Sequence, residues 1–183
     1  STRTNAHITG VELQEDVAIL ARKSVAINHL EEQISILCED INDFYLDHSG
    51  EFYDVITCNP PFFKVSEGSN LNESEYKMLA RHEIKLNLSQ LLKISRKLLK
   101  NQGVLAIVHR PERLTDLIYE MKLNGIEPKR IQFVYPYPDH KANVLLIEGV
   151  KNGKSGLTIL PPIYTHNSDG SYSDQVKKFF EKR

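Results

Sequence analysis

Short apolar runs of strand length alternate along the chain with stretches whose apolar residues recur every three or four positions. Residues 7–13 form the first run, which reads as a buried strand ending in the acid Glu12. Behind Asp16, the residues Val17, Leu20, Ala21, Ser24 and Ile27 repeat at helical spacing and predict a helix. Gln33–Cys38 is a second strand, closed by Glu39-Asp40, and Phe52–Cys58 a third. Between them, Asn42–Glu51 is polar and carries Gly50, which predicts a loop or a short helical turn. The stretch Lys64–Ser74 is polar and rich in Asn, Ser and Gly, as a loop would be. Ile84, Leu88, Leu91, Leu92, Ser95, Leu98 and Leu99 share one face of a long helix predicted over 75–100, which Asn101-Gln102-Gly103 ends. Val104–Val108 is a fourth strand, and Leu114, Leu117, Ile118 and Met121 mark a helix stopped by Asn124-Gly125. Arg130–Tyr135 and Asn143–Val150 read as an antiparallel pair. A Pro161-Pro162 break, a polar stretch to Ser173 and a terminal helix over 174–180 complete the pattern.

Strands that alternate with helices predict an α/β fold with a parallel sheet covered by helices on both faces. The length of 183 residues suits a single domain spanning 1–183, with 161–183 as its tail and terminal helix. In such sheets ligands bind beyond the carboxyl ends of the strands. Glu12, Asp40 and Asn59 each stand at such an end on consecutive strands, so one crevice is expected to hold all three.

Composition narrows the class without naming a function. With 40% apolar and 26% charged residues, fibrous, disordered and disulfide-framework classes are excluded. No apolar run approaches the ~20 residues of a membrane span, and no basic-plus-apolar leader opens the chain. A cytoplasmic setting is therefore expected, in keeping with two cysteines, Cys38 and Cys58, at no zinc spacing. Seven scattered histidines predict no metal site. Charge is polarised: residues 1–60 carry three basic and eleven acidic residues, a balance of −8. Residues 61–183 carry twenty basic and thirteen acidic ones, a balance of +7. A basic half suits a phosphate backbone, although solvated helix faces give the same count.

The chemistry lies at the strand ends. The Glu12 carboxylate can accept both hydroxyls of a ribose, or it can serve as a helix N-terminal acid. Asp40 can accept from the exocyclic amine of an adenine, or it can be a solvated turn residue. Two acids at successive strand ends together suggest a nucleoside-containing cofactor. Asn59-Pro60-Pro61-Phe62 is the sharper signal. Its prolines donate no hydrogen bond and fix φ, so the carbonyls around them are held rigid. The Asn59 amide oxygen and a neighbouring carbonyl can accept both hydrogens of a planar amino group, freeing its lone pair for attack. Phe62 offers a stacking face. A plain strand-terminating turn with a core aromatic is the alternative reading.

Val55-Ile56-Thr57-Cys58-Asn59-Pro60-Pro61-Phe62 resembles the amino-methyltransferase signature of class I S-adenosylmethionine-dependent methyltransferases. Gly10-Val11-Glu12 resembles the ribose-binding strand end of that family, and Glu39-Asp40-Ile41 its adenine-contacting segment. Ala80-Arg81-His82-Glu83 and the tail from Pro161-Pro162 to Tyr172 are similar to a narrower group, the bacterial tRNA(Val) adenine-N6 methyltransferases. The resemblance implies a Rossmann-like sheet, mostly parallel with an antiparallel last strand. The family's first strand and glycine-rich loop are expected ahead of Ser1, so the natural protein is expected to be longer. It also implies S-adenosylmethionine as cofactor, bound by Glu12, Asp40, Ile41 and Asn59, with Asn59, Pro60, Pro61 and Phe62 as catalytic residues. The implied partner is a tRNA whose anticodon-loop adenine is methylated. Lys64, Arg81, His82, Arg110, Lys129, Arg130 and Lys141 are the candidate RNA contacts. A protein glutamine amide would suit the same cage, and a non-catalytic nucleic-acid-binding module would keep the fold alone.

Overall fold

The computed structural model describes residues 4–48, 50, 52–60 and 87–181, which divide into two units. The first takes in the residues up to 48 with Glu181, and the second residues 50–180. In the first, β1 (Ile8–Glu12) and β2 (Ile34–Cys38) pair in parallel, with Glu12 opposite Cys38. Helix α1 (Glu15–Ile27) connects them. It forms where the spacing predicts it, but the predicted face is left largely open. Leu20 is 65% and Ile27 77% exposed, because α1 turns inward a different face, on which Ala18 is buried and Ala21 and Val25 are half-buried. The polar segment after β2 is a helix, α2 (Ile41–Asp47), anchored by the buried Phe44.

The second unit is built on a mixed sheet of order β3-β4-β6-β5-β7, with β8 also on β5. Its strands are β3 (Tyr53–Cys58), β4 (Leu99–His109), β5 (Ile126–Tyr135), β6 (Val144–Lys151), β7 (Thr158–Ile159) and β8 (Ile163–Tyr164). Helices α3 (Leu88–Leu98) and α4 (Leu114–Leu123) pack Leu91, Leu92, Leu117 and Met121 on Leu105, Ile107, Ile131, Leu145 and Ile147. Each such buried side chain contributes about 1.5–3 kcal/mol. A short α5 (Asp174–Phe180) closes the tail. β3 and β4 run parallel, and β6 is antiparallel to both β4 and β5. The antiparallel strand thus lies inside the sheet rather than at its rim, and β3, β4 and β5 all point the same way.

Three boundaries differ from the sequence expectation. Asn87 caps α3 through a capping box with Gln90, so no single helix runs through from 75; residues 75–86 lie outside the described residues. Asn101-Gln102-Gly103 does not separate helix from strand, because β4 begins at Leu99. Instead Lys100–Gly103 bulges between the Tyr53–Leu99 and Val55–Val104 pairs. Gln102 has φ 64, and Gly103 lies so close to the Lys100 carbonyl that a Cβ would stand 2.9 Å from it. β5 begins four residues early and takes in Pro128, which is tolerated because the register shifts between Pro128 and Arg130.

Candidate active site

Glu12 stands at the carboxyl end of β1, half-buried, and its Oε1 accepts the Gln14 N–H at 2.8 Å. The backbone N–H of Glu39 donates to the Glu12 carbonyl at 3.1 Å, which extends the ladder past Cys38. One residue on, Asp40 caps α2: its Oδ1 accepts the Asn42 N–H at 2.9 Å and Asn42 Nδ2 at 2.7 Å. Each carboxylate therefore spends one oxygen on the backbone that holds it. The second oxygen of each has no partner among the described residues and can accept a hydroxyl or an amine. Ile41, the first residue of α2, is half-buried beside them. The turn reading of Asp40 takes the form of a half-buried helix cap.

Asn59-Pro60 leaves the sheet of the other unit at the carboxyl end of β3. Cys58 is level with Ile107 on β4, so Asn59-Pro60 and Val108-His109 emerge side by side. Burial pushes the Cys58 thiol up to about 11, so it is inert. Asn59 is exposed and borders a concavity of about 450 Å3 with Thr57, Ala106, Val108, Leu146 and Glu148 on one sheet face. His109 is a site neighbour that no sequence motif singles out. It is buried, and its Nδ1 accepts the Arg110 N–H at 2.8 Å, which leaves the proton of the neutral ring on Nε2. Burial first, then Arg113 and Arg110, lower its pKa against the opposing pull of Asp116. The signal that sequence does offer is its place at the end of an apolar strand.

The structure separates the candidate RNA contacts. Arg130 is committed to Glu148: its Nε donates to Oε1 at 2.9 Å and its NH2 to Oε2. Lys129 Nζ donates to the Lys154 carbonyl at 3.1 Å. Both are thereby tied into the sheet face and its loop, whereas Lys141 stays exposed in the β5–β6 connection. Arg110 begins the turn after β4, at the edge shared with Asn59. Pro61, Phe62, Lys64, Arg81 and His82 lie outside the described residues. Glu12, Asp40 and Ile41 belong to one unit and Asn59 to the other.

No family model matches the chain. Individual relatives do. It is 31% identical over 98% of its length to a Parabacteroides distasonis protein named tRNA1(Val) (adenine(37)-N6)-methyltransferase, and covers 76% of that protein. The chain belongs to that methyltransferase family. Proteins of the same name from Porphyromonas gingivalis and Trichodesmium erythraeum are 28% and 27% identical, with 96% and 100% of the chain aligned. These alignments cover 69% and 75% of those relatives. Among solved structures, one described as a predicted O-methyltransferase from Agrobacterium tumefaciens aligns with TM-score 0.71 at 17% identity. It covers 94% of this chain and 76% of that one. A geranyl diphosphate methyltransferase in complex with SAM aligns at TM-score 0.54 and 10% identity. The fold is that of Rossmann-like methyltransferases, as the sequence resemblance implies.

Proposed function

We propose that the chain, within its full-length protein, acts in the transfer of a methyl group from S-adenosylmethionine to N6 of an anticodon-loop adenine in tRNA(Val). The observation that carries this reading is the similarity along nearly the whole chain to enzymes of that one name. A cytoplasmic setting follows from such a substrate. Among the described residues no helix is long and apolar enough to cross a membrane.

The residues present fit the cofactor. Glu12 keeps one carboxylate oxygen for a ribose hydroxyl, Asp40 keeps one for the adenine amine, and Ile41 offers an apolar edge to the ring. When bound, S-adenosylmethionine supplies an electrophilic methyl on a sulfonium. Asn59 accepts from the target amino group, and the carbonyl beside Pro60 takes its second hydrogen. Pro61 and Phe62 complete the motif, with Phe62 as the stacking face. Holding both hydrogens lets the nitrogen turn pyramidal as its lone pair attacks, an interaction made mostly in the transition state. No general base is needed, because the amine is already cationic once the methyl has left the sulfonium, whose sulfur keeps the bonding pair, and its proton departs to water. An unpaired anticodon-loop base also spares most of the cost of flipping.

The test is to incubate the full-length protein with labelled S-adenosylmethionine and total RNA, then digest and identify the nucleoside. N6-methyladenosine in tRNA(Val) is expected. Label in protein rather than RNA would move the function to a glutamine amide, and no label in either would leave a binding module.

A further inference from the structure

Four rings form a ladder at one rim of the second unit. His140 and Tyr137 have centroids 5.0 Å apart, Tyr137 and His166 5.4 Å, and His166 and Tyr172 5.0 Å. Tyr135 and Tyr164, opposite one another at the ends of β5 and β8, have centroids 5.6 Å apart. The ladder is held by backbone ties. The Thr165 N–H donates to Tyr135 O at 2.9 Å, the His166 N–H to Pro136 O at 3.1 Å, and His166 bridges Tyr172. Thr165 spends its hydroxyl proton on Pro136 O, so its oxygen accepts from His166 Nδ1 at 2.8 Å and fixes that ring. The two inner rings, Tyr137 and His166, are half-buried, whereas the outer two, His140 and Tyr172, are exposed. Tyr172, 58% exposed, is stacked on His166 at an interplanar angle of 26°, so its second face is open.

Topology puts this ladder at the same edge as Asn59. β3, β4 and β5 point the same way, and β8 runs parallel to β5 with Tyr135 opposite Tyr164. The chain therefore leaves β5 into Tyr137, and β8 into His166, where it leaves β3 into Asn59. β8 lies beyond β5, four strand spacings from β3, ~19 Å, a span that a few splayed nucleotides cover. Lys141, exposed and next to His140, adds a cation to that edge.

We propose that this ladder is a stacking platform for an unpaired base that flanks the methylated adenine, with Tyr172 presenting the open face. The inference rests on the tRNA reading above and gives the tail segment 163–173 a substrate-binding role. An unpaired base stacked on an aromatic ring contributes about 1–3 kcal/mol. A rigid, pre-stacked ring loses little entropy on receiving one.

The experiment compares full-length wild type with Tyr172→Ala, Tyr172→Leu and Tyr172→Phe on an unmodified tRNA(Val) anticodon stem-loop. RNA affinity is read by fluorescence anisotropy, S-adenosylhomocysteine affinity by calorimetry, and KM and kcat by methylation. Ala and Leu should weaken RNA binding and raise KM by about 5- to 150-fold, the equivalent of one stacked base. Phe should stay within about threefold, and all three should bind S-adenosylhomocysteine as wild type does. RNA affinity of the Leu variant within about twofold of wild type would overturn the platform, as would equal losses for Phe and Ala. Leu keeps the bulk beside His166, so it still decides the matter if Ala fails to fold. Absence of methylation in wild type, with RNA binding that still falls from Phe to Leu, would instead overturn the proposed reaction and leave the platform.

Discussion

The backbone N–H of Glu39 donates to the carbonyl of Glu12, so the ends of β1 and β2 stay bound to one another past their last ladder pair. The two carboxylates that follow from this tie, Glu12 and Asp40, share a rim whatever the connecting loops do. Glu12→Ala in the full-length protein is expected to weaken S-adenosylhomocysteine binding by about 1.5–3 kcal/mol, since hydrogen bonds to a charged acceptor are lost. RNA affinity should hardly move. Calorimetry that finds equal cofactor affinity would remove Glu12 from the site.

Asp40 has a second duty, which separates its variants. Loss of the cap on α2 makes Asp40→Ala destabilising by about 0.5–2 kcal/mol. Asp40→Asn keeps the cap oxygen and should unfold at the same denaturant concentration as wild type. If Asn also leaves cofactor affinity intact, the acceptor rather than the charge of Asp40 is what counts.

Asn59→Ala is expected to reduce kcat by about 10²–10³, with cofactor and tRNA both still bound. Retention of more than about a tenth of kcat, measured at saturating RNA, would reduce the motif to a strand-ending turn.

His109 gives the fold a pH response. Its folded pKa lies below the ordinary 6.5, so the unfolded chain takes up the proton first. Its contribution is complete above that value and is lost as the pH falls through it. His109→Asn keeps an acceptor for the Arg110 N–H and removes the titration. Between about pH 7.5 and about pH 5.5 wild type should lose more stability than the variant in urea unfolding, and parallel losses would refute the point.

Gly149 of β6 faces α4 so tightly that a Cβ would stand 2.2 Å from Met121 Cε and 2.8 Å from Ile126 Cγ2. Gly149→Ala should cost about 1–3 kcal/mol through overpacking. A second change, Met121→Ala, should recover part of that loss by making room. Additive losses in chemical denaturation would contradict this contact.

Periodicity suffices for the strands and helices that bury apolar faces, because spacing and burial have the same cause in α3, α4 and β6. The bulge at Lys100–Gly103 looks like a helix end in sequence, since Gln102-Gly103 marks positive φ without saying which element it interrupts. The ion pair of Arg130 with Glu148 is not legible, because the partner comes from a neighbouring strand that sequence does not align. The ladder is invisible for the same reason: Tyr137, His166 and Tyr172 meet only when β8 lies against β5. What is legible is where Glu12, Asp40 and Asn59 stand on their own strands: Glu12 ends β1, Asp40 lies two residues past β2 and Asn59 follows β3, so chain position alone puts each at the carboxyl end of its strand.

The reversed course of β6 leaves the connection from Pro136 to Asn143 as a hairpin with both feet fixed, its closing bond running from the Asn143 N–H to the Val134 carbonyl at 3.0 Å. Register below that bond is set by the alternation of Leu145, Ile147 and Gly149 into the core, not by the length of the arch. Residues can therefore be inserted or exchanged around Pro138–Lys141 without shifting a single core side chain. That arch sits at the rim where Asn59 emerges, so the border of the motif can change in length and side chains while the scaffold beneath stays the same.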